Sequence, residues 1–259
     1  MKKSKKKKET TKKIIALIGV LFALSAITFL VYSVTSANEQ IRNTEPETTA
    51  PPAPSEKAQT SQPSIVSLPP DDTEVIPGLV EYVEINSDTI GLIQVPNTTI
   101  DYPVVYSGDN EYYLTRDFDK VDSPYGAIFL DFRCDILDFA KTRNVILYGH
   151  RMKDGTMFKP LVNYEEESFF YENRIIRFDT LYESYEWEVF TVFETDTDFY
   201  YIDTDYPTDE KWLNFLEKCR SLSIFDTETT FSPTDIVLTL STCASNNNER
   251  LVVMAKLKR

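Results

Sequence analysis

The chain has 259 residues, 42% of them hydrophobic, which is enough for one domain with a real core and too apolar for a chain that is disordered throughout. Its formal charge is −14, and setting aside the eight lysines and one glutamate of residues 1–13 leaves −21 on the rest, a surface that repels phosphate backbones and argues against a nucleic-acid partner. Three cysteines (Cys134, Cys219, Cys243) with no CxxC pair and a single histidine argue against a disulfide-stapled scaffold and a zinc site, so neither metal nor cofactor is expected.

Residues 1–13 read as a basic tail that stays cytoplasmic. Residues 14–34 (IIALIGVLFALSAITFLVYSV) carry no charge and are long enough to cross a bilayer as a helix. The competing reading is a cleaved signal peptide, with Thr35, Ser36 and Ala37 supplying small residues for a cleavage site. Residues 35–72, rich in Pro, Thr and Ser, form a spacer that cannot bury enough apolar surface to fold. Residues 73–259 are then the folded domain, held outside a single-pass cell-membrane anchor.

Within that domain the pattern is mostly strand. Short apolar or alternating runs fall at Thr89–Val95, Ile100–Tyr106, Ala127–Leu130 and Asn144–Tyr148. The series continues at Ile175–Phe178, Tyr185–Phe193, Asp235–Ser241 and Leu251–Leu257. Helices are few: a turn or two over Leu79–Glu84, a single turn over Asn110–Leu114, and longer pieces over Glu165–Glu172 and Asp209–Ser221. In the last, Trp212, Phe215, Leu216 and Cys219 recur at helical spacing. Many short strands and few helices point to a barrel or sandwich with peripheral helices.

Three residues could carry chemistry. His150 ends the run NVILYG, and histidine is the side chain suited to exchanging protons near neutral pH. Cys243 closes DIVLTLSTC and opens a polar loop, where a thiol is partly exposed; a thiolate is the nucleophile in acyl transfer, and a cationic neighbour lowers a thiol's pKa. Arg250 begins the next strand, and pairing of the two strands would bring it to the same sheet end as Cys243, where a guanidinium can stabilise an oxyanion or hold a substrate backbone. Each has an ordinary alternative: a lone histidine is commonly structural, and a lone cysteine is commonly a small buried hydrophobe. Cys134 and Cys219 sit in apolar contexts that suit that structural role.

The strings that hold these residues resemble the sortases, class B most closely. TLSTC at 239–243 resembles the nucleophile signature of the family, and NVILYGHRMKDGTMF at 144–158 resembles the class B segment around the catalytic histidine. DYPVVYSGDNEYYL at 101–114 and GAIFLD at 126–131 add two further class B segments, so the similarity runs from about Leu79 to Lys258. The resemblance implies an eight-stranded sortase-type β-barrel with peripheral helices, one of them between strands six and seven. It implies a cysteine transpeptidase that cleaves the C-terminal sorting motif of a secreted protein after Thr. A thioacyl-enzyme on Cys243 would pass the chain to an amine of the peptidoglycan precursor or, in a pilin-polymerising enzyme, to a pilin lysine. His150 would be the acid/base and Arg250 the oxyanion and substrate clamp. Asn110, Leu114, Ser241 and Thr242 align with the substrate groove, and Thr197, Tyr201 and Ile202 with its wall between strands six and seven. Some class B members place an acidic residue two positions after the cysteine; here that position is Ser245, so a third partner is absent or supplied elsewhere.

A papain-like protease is the rival enzyme, but it places its cysteine before its histidine, the reverse of the order here. An exported adhesin or binding domain is the rival from outside enzymology. It would explain anchor, spacer and β-rich domain without chemistry, and thiol reactivity separates the two readings.

Overall fold

The computed structural model describes residues 74–136, 141–195, 199–243 and 250–258. The basic tail, the apolar segment 14–34 and the whole of the spacer 35–72 lie outside these, as do Thr197 and Ser245. Among the described residues no helix is long and apolar enough to cross a membrane.

Eight strands form, one for each run read from the sequence: β1 (Thr89–Gln94), β2 (Asp101–Val105), β3 (Ile128–Leu130), β4 (Asn144–His150), β5 (Ile175–Thr180), β6 (Glu186–Thr195), β7 (Val237–Cys243) and β8 (Arg250–Leu257). They close into a barrel in the order β1-β2-β3-β4-β7-β8-β6-β5, with β1 pairing antiparallel to β5 across the closure. The β2–β3 and β4–β7 pairs are parallel and the other pairs antiparallel. Closure leaves no free sheet edge, which matters for an acidic but strand-rich chain that would otherwise expose unpaired backbone groups.

Alternation along each strand gives the barrel two apolar layers. Val145, Leu147, Leu238, Leu240, Leu251 and Val253 point to the interior core. Val237, Val252 and Met254 face the other way and are covered by the longest helix, α3 (Asp209–Ser221), through Trp212, Leu216 and Cys219. The shorter helices are α1 (Val80–Ile85) and α2 (Glu167–Glu172), with 3₁₀ turns at Pro77–Leu79, Tyr112–Leu114 and Lys159–Glu165.

α3 lies between β6 and β7, as the resemblance implies. It starts where the Thr208 hydroxyl accepts a hydrogen bond from the Lys211 N–H at 3.2 Å. Asp209 and Glu210 in its first turn and Lys218 and Arg220 in its last complement the helix dipole.

Several boundaries differ from the sequence expectation in one direction. β4 and β7 run two residues past the apolar runs that end at Tyr148 and Ser241, and β8 starts one residue before Leu251, so His150, Cys243 and Arg250 are the last or first residues of strands, at the strand ends where the sequence places them. Ladder pairing continues past the point where hydrophobicity stops, because it is the backbone that pairs. The run expected as a helix over Glu165–Glu172 splits into a 3₁₀ turn and α2, with Glu166 extended between them.

Candidate active site

Residues distant in sequence are aligned by strand register. In the parallel β4–β7 ladder His150 is the partner of Cys243. In the antiparallel β7–β8 ladder Ser241 is the partner of Val252, and the same register continued by two residues places Cys243 opposite Arg250. Arg250 is in turn the partner of Thr195 on β6. His150, Cys243, Arg250 and Thr195 therefore form one row across four adjacent strands at one mouth of the barrel, each step about 5 Å.

Local packing explains why this mouth is ordered. Gly149 precedes His150, and a Cβ there would come within 2.5 Å of Ile128 Cδ1 and 2.8 Å of the Phe158 ring. Its absence lets Phe158 fill the core directly beneath the histidine, where the Phe158 N–H donates to the His150 carbonyl at 2.8 Å. His150 is half-buried, and its Nε2 lies 2.6 Å from the Leu114 carbonyl. Thr242 is buried between the two flanking positions, with its hydroxyl accepting from the Leu251 N–H at 3.1 Å and 3.3 Å from the Leu251 carbonyl. That pair latches β7 to β8 at the base of the row. Arg250 is half-buried.

The other residues aligned with the groove divide by environment. Ser241 is buried, and its hydroxyl is 2.7 Å from that of Tyr201, itself buried on the segment leading to α3. Ile202 is half-buried and packs against both apolar layers. Asn110 spends both ends of its amide on two adjacent residues: Nδ2 donates to Asp131 Oδ2 at 3.1 Å and Oδ1 accepts from the Phe132 N–H at 3.0 Å.

The centre of this network is a pair the sequence reading missed, Asp131 and Arg133. The Asp131 side chain is fully buried, and Oδ2 accepts from Tyr148 Oη at 2.8 Å and Arg133 Nη2 at 2.7 Å. Arg133 extends the other way, donating to Tyr200 Oη at 3.0 Å and the Ile202 carbonyl at 2.8 Å. Burial opposes the charge on Asp131, yet the Arg133 guanidinium and the Tyr148 hydroxyl hold its carboxyl below the usual carboxylate range. Burial beside that carboxylate pushes the Tyr148 hydroxyl up, so it remains a donor.

Asn144 fixes the same segment from below, with its amide donating to the Tyr201 and Asp203 carbonyls at 3.2 and 2.9 Å and accepting from Thr239 Oγ1 at 2.6 Å. One wall of the candidate groove, residues 200–203, is thus tied to the floor and to the Asn110 wall by buried polar groups. The available signal was the Asp-x-Arg spacing just after the apolar β3 run, which suits a charge pair at a strand end.

Among the described residues no group of three or more His, Cys, Asp or Glu is gathered to hold a metal ion. The other two thiols are unsuited to nucleophilic chemistry. Cys134 is buried, with Sγ 3.4 Å from the Asn144 carbonyl, and burial pushes its thiol up to about 12. Burial under α3 pushes Cys219 up as well. Both stay protonated at neutral pH. Native protein treated with a small alkylating agent is therefore expected to gain one adduct, on Cys243, by peptide mapping. Comparable labelling of Cys134 or Cys219 would contradict the burial that distinguishes them.

Comparison with known proteins points the same way. A family model described as a sortase domain matches residues 93–258. Sortase B of Listeria monocytogenes is 35% identical over 189 residues, 71% of this chain and 75% of that protein. The crystal structure of sortase B from Bacillus anthracis in complex with AAEK2 superposes with a TM-score of 0.68 at 44% identity, covering 73% of this chain and 87% of that one. A Staphylococcus aureus sortase B–substrate complex superposes with a TM-score of 0.68 at 35% identity, covering 72% of this chain and 87% of that one.

Proposed function

The chain belongs to the sortase family, as a cysteine transpeptidase of the class B type, and from that premise we propose that Cys243, His150 and Arg250 carry its reaction at the barrel mouth. The observation that carries the assignment is the register: His150 is the ladder partner of Cys243, and Arg250 lies on the next strand.

In this reading the Cys243 thiolate attacks the carbonyl carbon of Thr in the sorting motif of a secreted protein. As the S–C bond forms, the negative charge moves to the carbonyl oxygen, where the Arg250 guanidinium binds it. The C–N bond then breaks, and protonated His150 gives its proton to the departing amine. An incoming amine of the peptidoglycan precursor attacks the thioester and loses a proton to His150, and the thiolate departs, restoring the starting state. No external oxidant, metal or cofactor is consumed. Asn110, Leu114, Ser241 and Thr242, with the wall at Thr197, Tyr201 and Ile202, form the peptide groove; the buried hydroxyls of Ser241 and Thr242 act in it by shaping Tyr201 and the β7–β8 seam. Residues 14–34 anchor the chain in the cell membrane with residues 1–13 cytoplasmic, and the spacer 35–72 holds the domain 73–259 at the cell surface.

The test is intact-protein mass spectrometry of the chain with a pool of sorting-motif peptides, with and without amine acceptors. A thioacyl adduct on Cys243, absent in Cys243→Ala, and transfer to a peptidoglycan-type amine are expected. Transfer only to a lysine side chain would instead assign pilin polymerisation. No adduct with any peptide, together with slow alkylation of Cys243, would leave an exported binding domain as the better account.

A further inference from the structure

We infer that the Leu114 carbonyl, backed by Gly126, fixes the tautomer and orientation of His150, so that Nδ1 is the ring nitrogen that exchanges protons with the substrate. The inference rests on the catalytic assignment of His150 above and adds to it the identity of the group that orients the ring.

A carbonyl oxygen can only accept, so the 2.6 Å contact from Leu114 requires a proton on Nε2. With Nε2 committed, Nδ1 is the one position left to receive or release a proton, and among the described residues it has no hydrogen-bond partner. An orienting acceptor behind a catalytic imidazole is what a carboxylate provides in other nucleophile–histidine sites. At this site the acceptor is a neutral backbone group, consistent with serine at position 245.

The carbonyl is held in place by buried structure. Leu114 ends the 3₁₀ turn Tyr112–Leu114, whose central residue Tyr113 is fully buried. The Tyr113 hydroxyl donates to Asp88 Oδ2 at 2.7 Å and accepts from Asn86 Nδ2 at 3.0 Å, and its carbonyl accepts from the Ala127 N–H at 3.0 Å. The turn is thereby bound to the start of β3, beside the histidine.

Gly126 completes the support. Its φ is +60°, and a Cβ at this position would lie 2.6 Å from the Tyr113 carbonyl oxygen, 3.0 Å from the Leu114 carbonyl oxygen and 3.0 Å from His150 Cδ2. The ring and the carbonyl it bonds can approach each other only because that space is empty. Leu114 and Gly126 are therefore positioning residues, acting on the reaction through His150.

Because the chain contains one histidine, its ring nitrogens can be read without overlap. The full chain in detergent micelles, labelled with ¹⁵N at histidine and free of substrate, would be examined by long-range ¹H–¹⁵N correlation at a pH where the ring is neutral. A protonated Nε2 and an unprotonated Nδ1 are expected. A protonated Nδ1, or an even mixture of tautomers, would overturn the inference. Since no substrate is present, that result would leave the assignment of His150 as acid/base to be judged separately, by thioacyl formation and amine transfer in His150→Ala.

Gly126→Ala is expected to lower kcat by roughly 100-fold, the scale of a misplacement near 1 Å, while KM for the peptide stays near the parent value and the tautomer preference is lost. Gly155→Ala is the control, since Gly155 also has a positive φ, +93°, but open space around its Cβ position. It is expected to preserve kcat and the tautomer. Equal losses in both variants, or an unchanged tautomer in Gly126→Ala, would reduce Gly126 to a turn glycine. Should Gly126→Ala fail to fold, the tautomer of the parent chain still decides.

Discussion

Replacing Arg250 with alanine is expected to reduce kcat/KM for thioacyl formation by roughly 10²–10³-fold, the loss typical of removing one oxyanion donor from a preorganised site. Arg250 starts β8 at the row that contains His150 and Cys243, and its backbone is fixed by the ladder to β6, where it is the partner of Thr195, while β8 pairs with β7 from Val252 onward. A donor held this way needs little rearrangement as charge develops on the carbonyl oxygen. Arg250→Lys is expected to recover only a small part of the loss, because an ammonium offers the charge without the planar fork that can serve an oxyanion and a peptide carbonyl together. Single-turnover kinetics with a sorting-motif peptide would measure both variants. Activity of Arg250→Ala within a few-fold of the parent would remove Arg250 from the reaction and leave the thiol and imidazole to act alone.

The second large effect is on stability. Arg133→Ala is expected to destabilise the domain by about 3 kcal/mol, near the lower end for breaking a buried pair, because Asp131 stays fully buried while the Arg133 side chain keeps 28% exposure. The loss arises from the carboxylate left without its guanidinium more than from the contact itself. The sign with pH follows from Asp131, whose carboxyl is held below its ordinary range in the folded parent. Its stabilisation is complete above the unfolded pKa of about 3.9 and is lost as pH falls through the lower folded value. In Arg133→Ala the carboxyl loses the guanidinium that holds it down, so the gap between parent and variant narrows as the solution is acidified. Urea melts from neutral pH to pH 3 would show this. A double variant, Asp131→Asn with Arg133→Met, is expected to be more stable at neutral pH than Arg133→Ala, since it buries no unpaired charge. A single variant no less stable than the double would refute the account. Because Arg133 also holds Tyr200 and the Ile202 carbonyl, Arg133→Ala should weaken peptide binding even below its melting point.

How much of this was legible in the chain differs by element. All eight strands can be read from apolar runs, because alternation and β-branched content are local properties. α3 can be read from the spacing of Trp212, Leu216 and Cys219, the residues it buries. The apolar runs themselves stop short of the strand ends, since β4 and β7 continue to His150 and Cys243 through backbone pairing and not through hydrophobicity. The Asp131–Arg133 pair is equally hidden: a charged pair after an apolar run commonly faces solvent, and only the tertiary structure brings Tyr148 and Asn110 onto the buried carboxylate and the 200–203 segment onto Arg133.

The sequence by itself determined which elements form and which residues are candidates for chemistry, since a strand or helix depends on side chains within a few positions and nucleophile, acid/base and cation are properties of residue type. Only the tertiary structure decided that β4 pairs with β7 in parallel, at the register that brings His150 to Cys243 from 93 positions away in the chain. It also decided that the Leu114 carbonyl faces the imidazole. The physical reason is that pairing is non-local: a strand's own residues specify that it will pair, whereas its partner and register are chosen by the arrangement that closes the barrel and buries both of its apolar layers together.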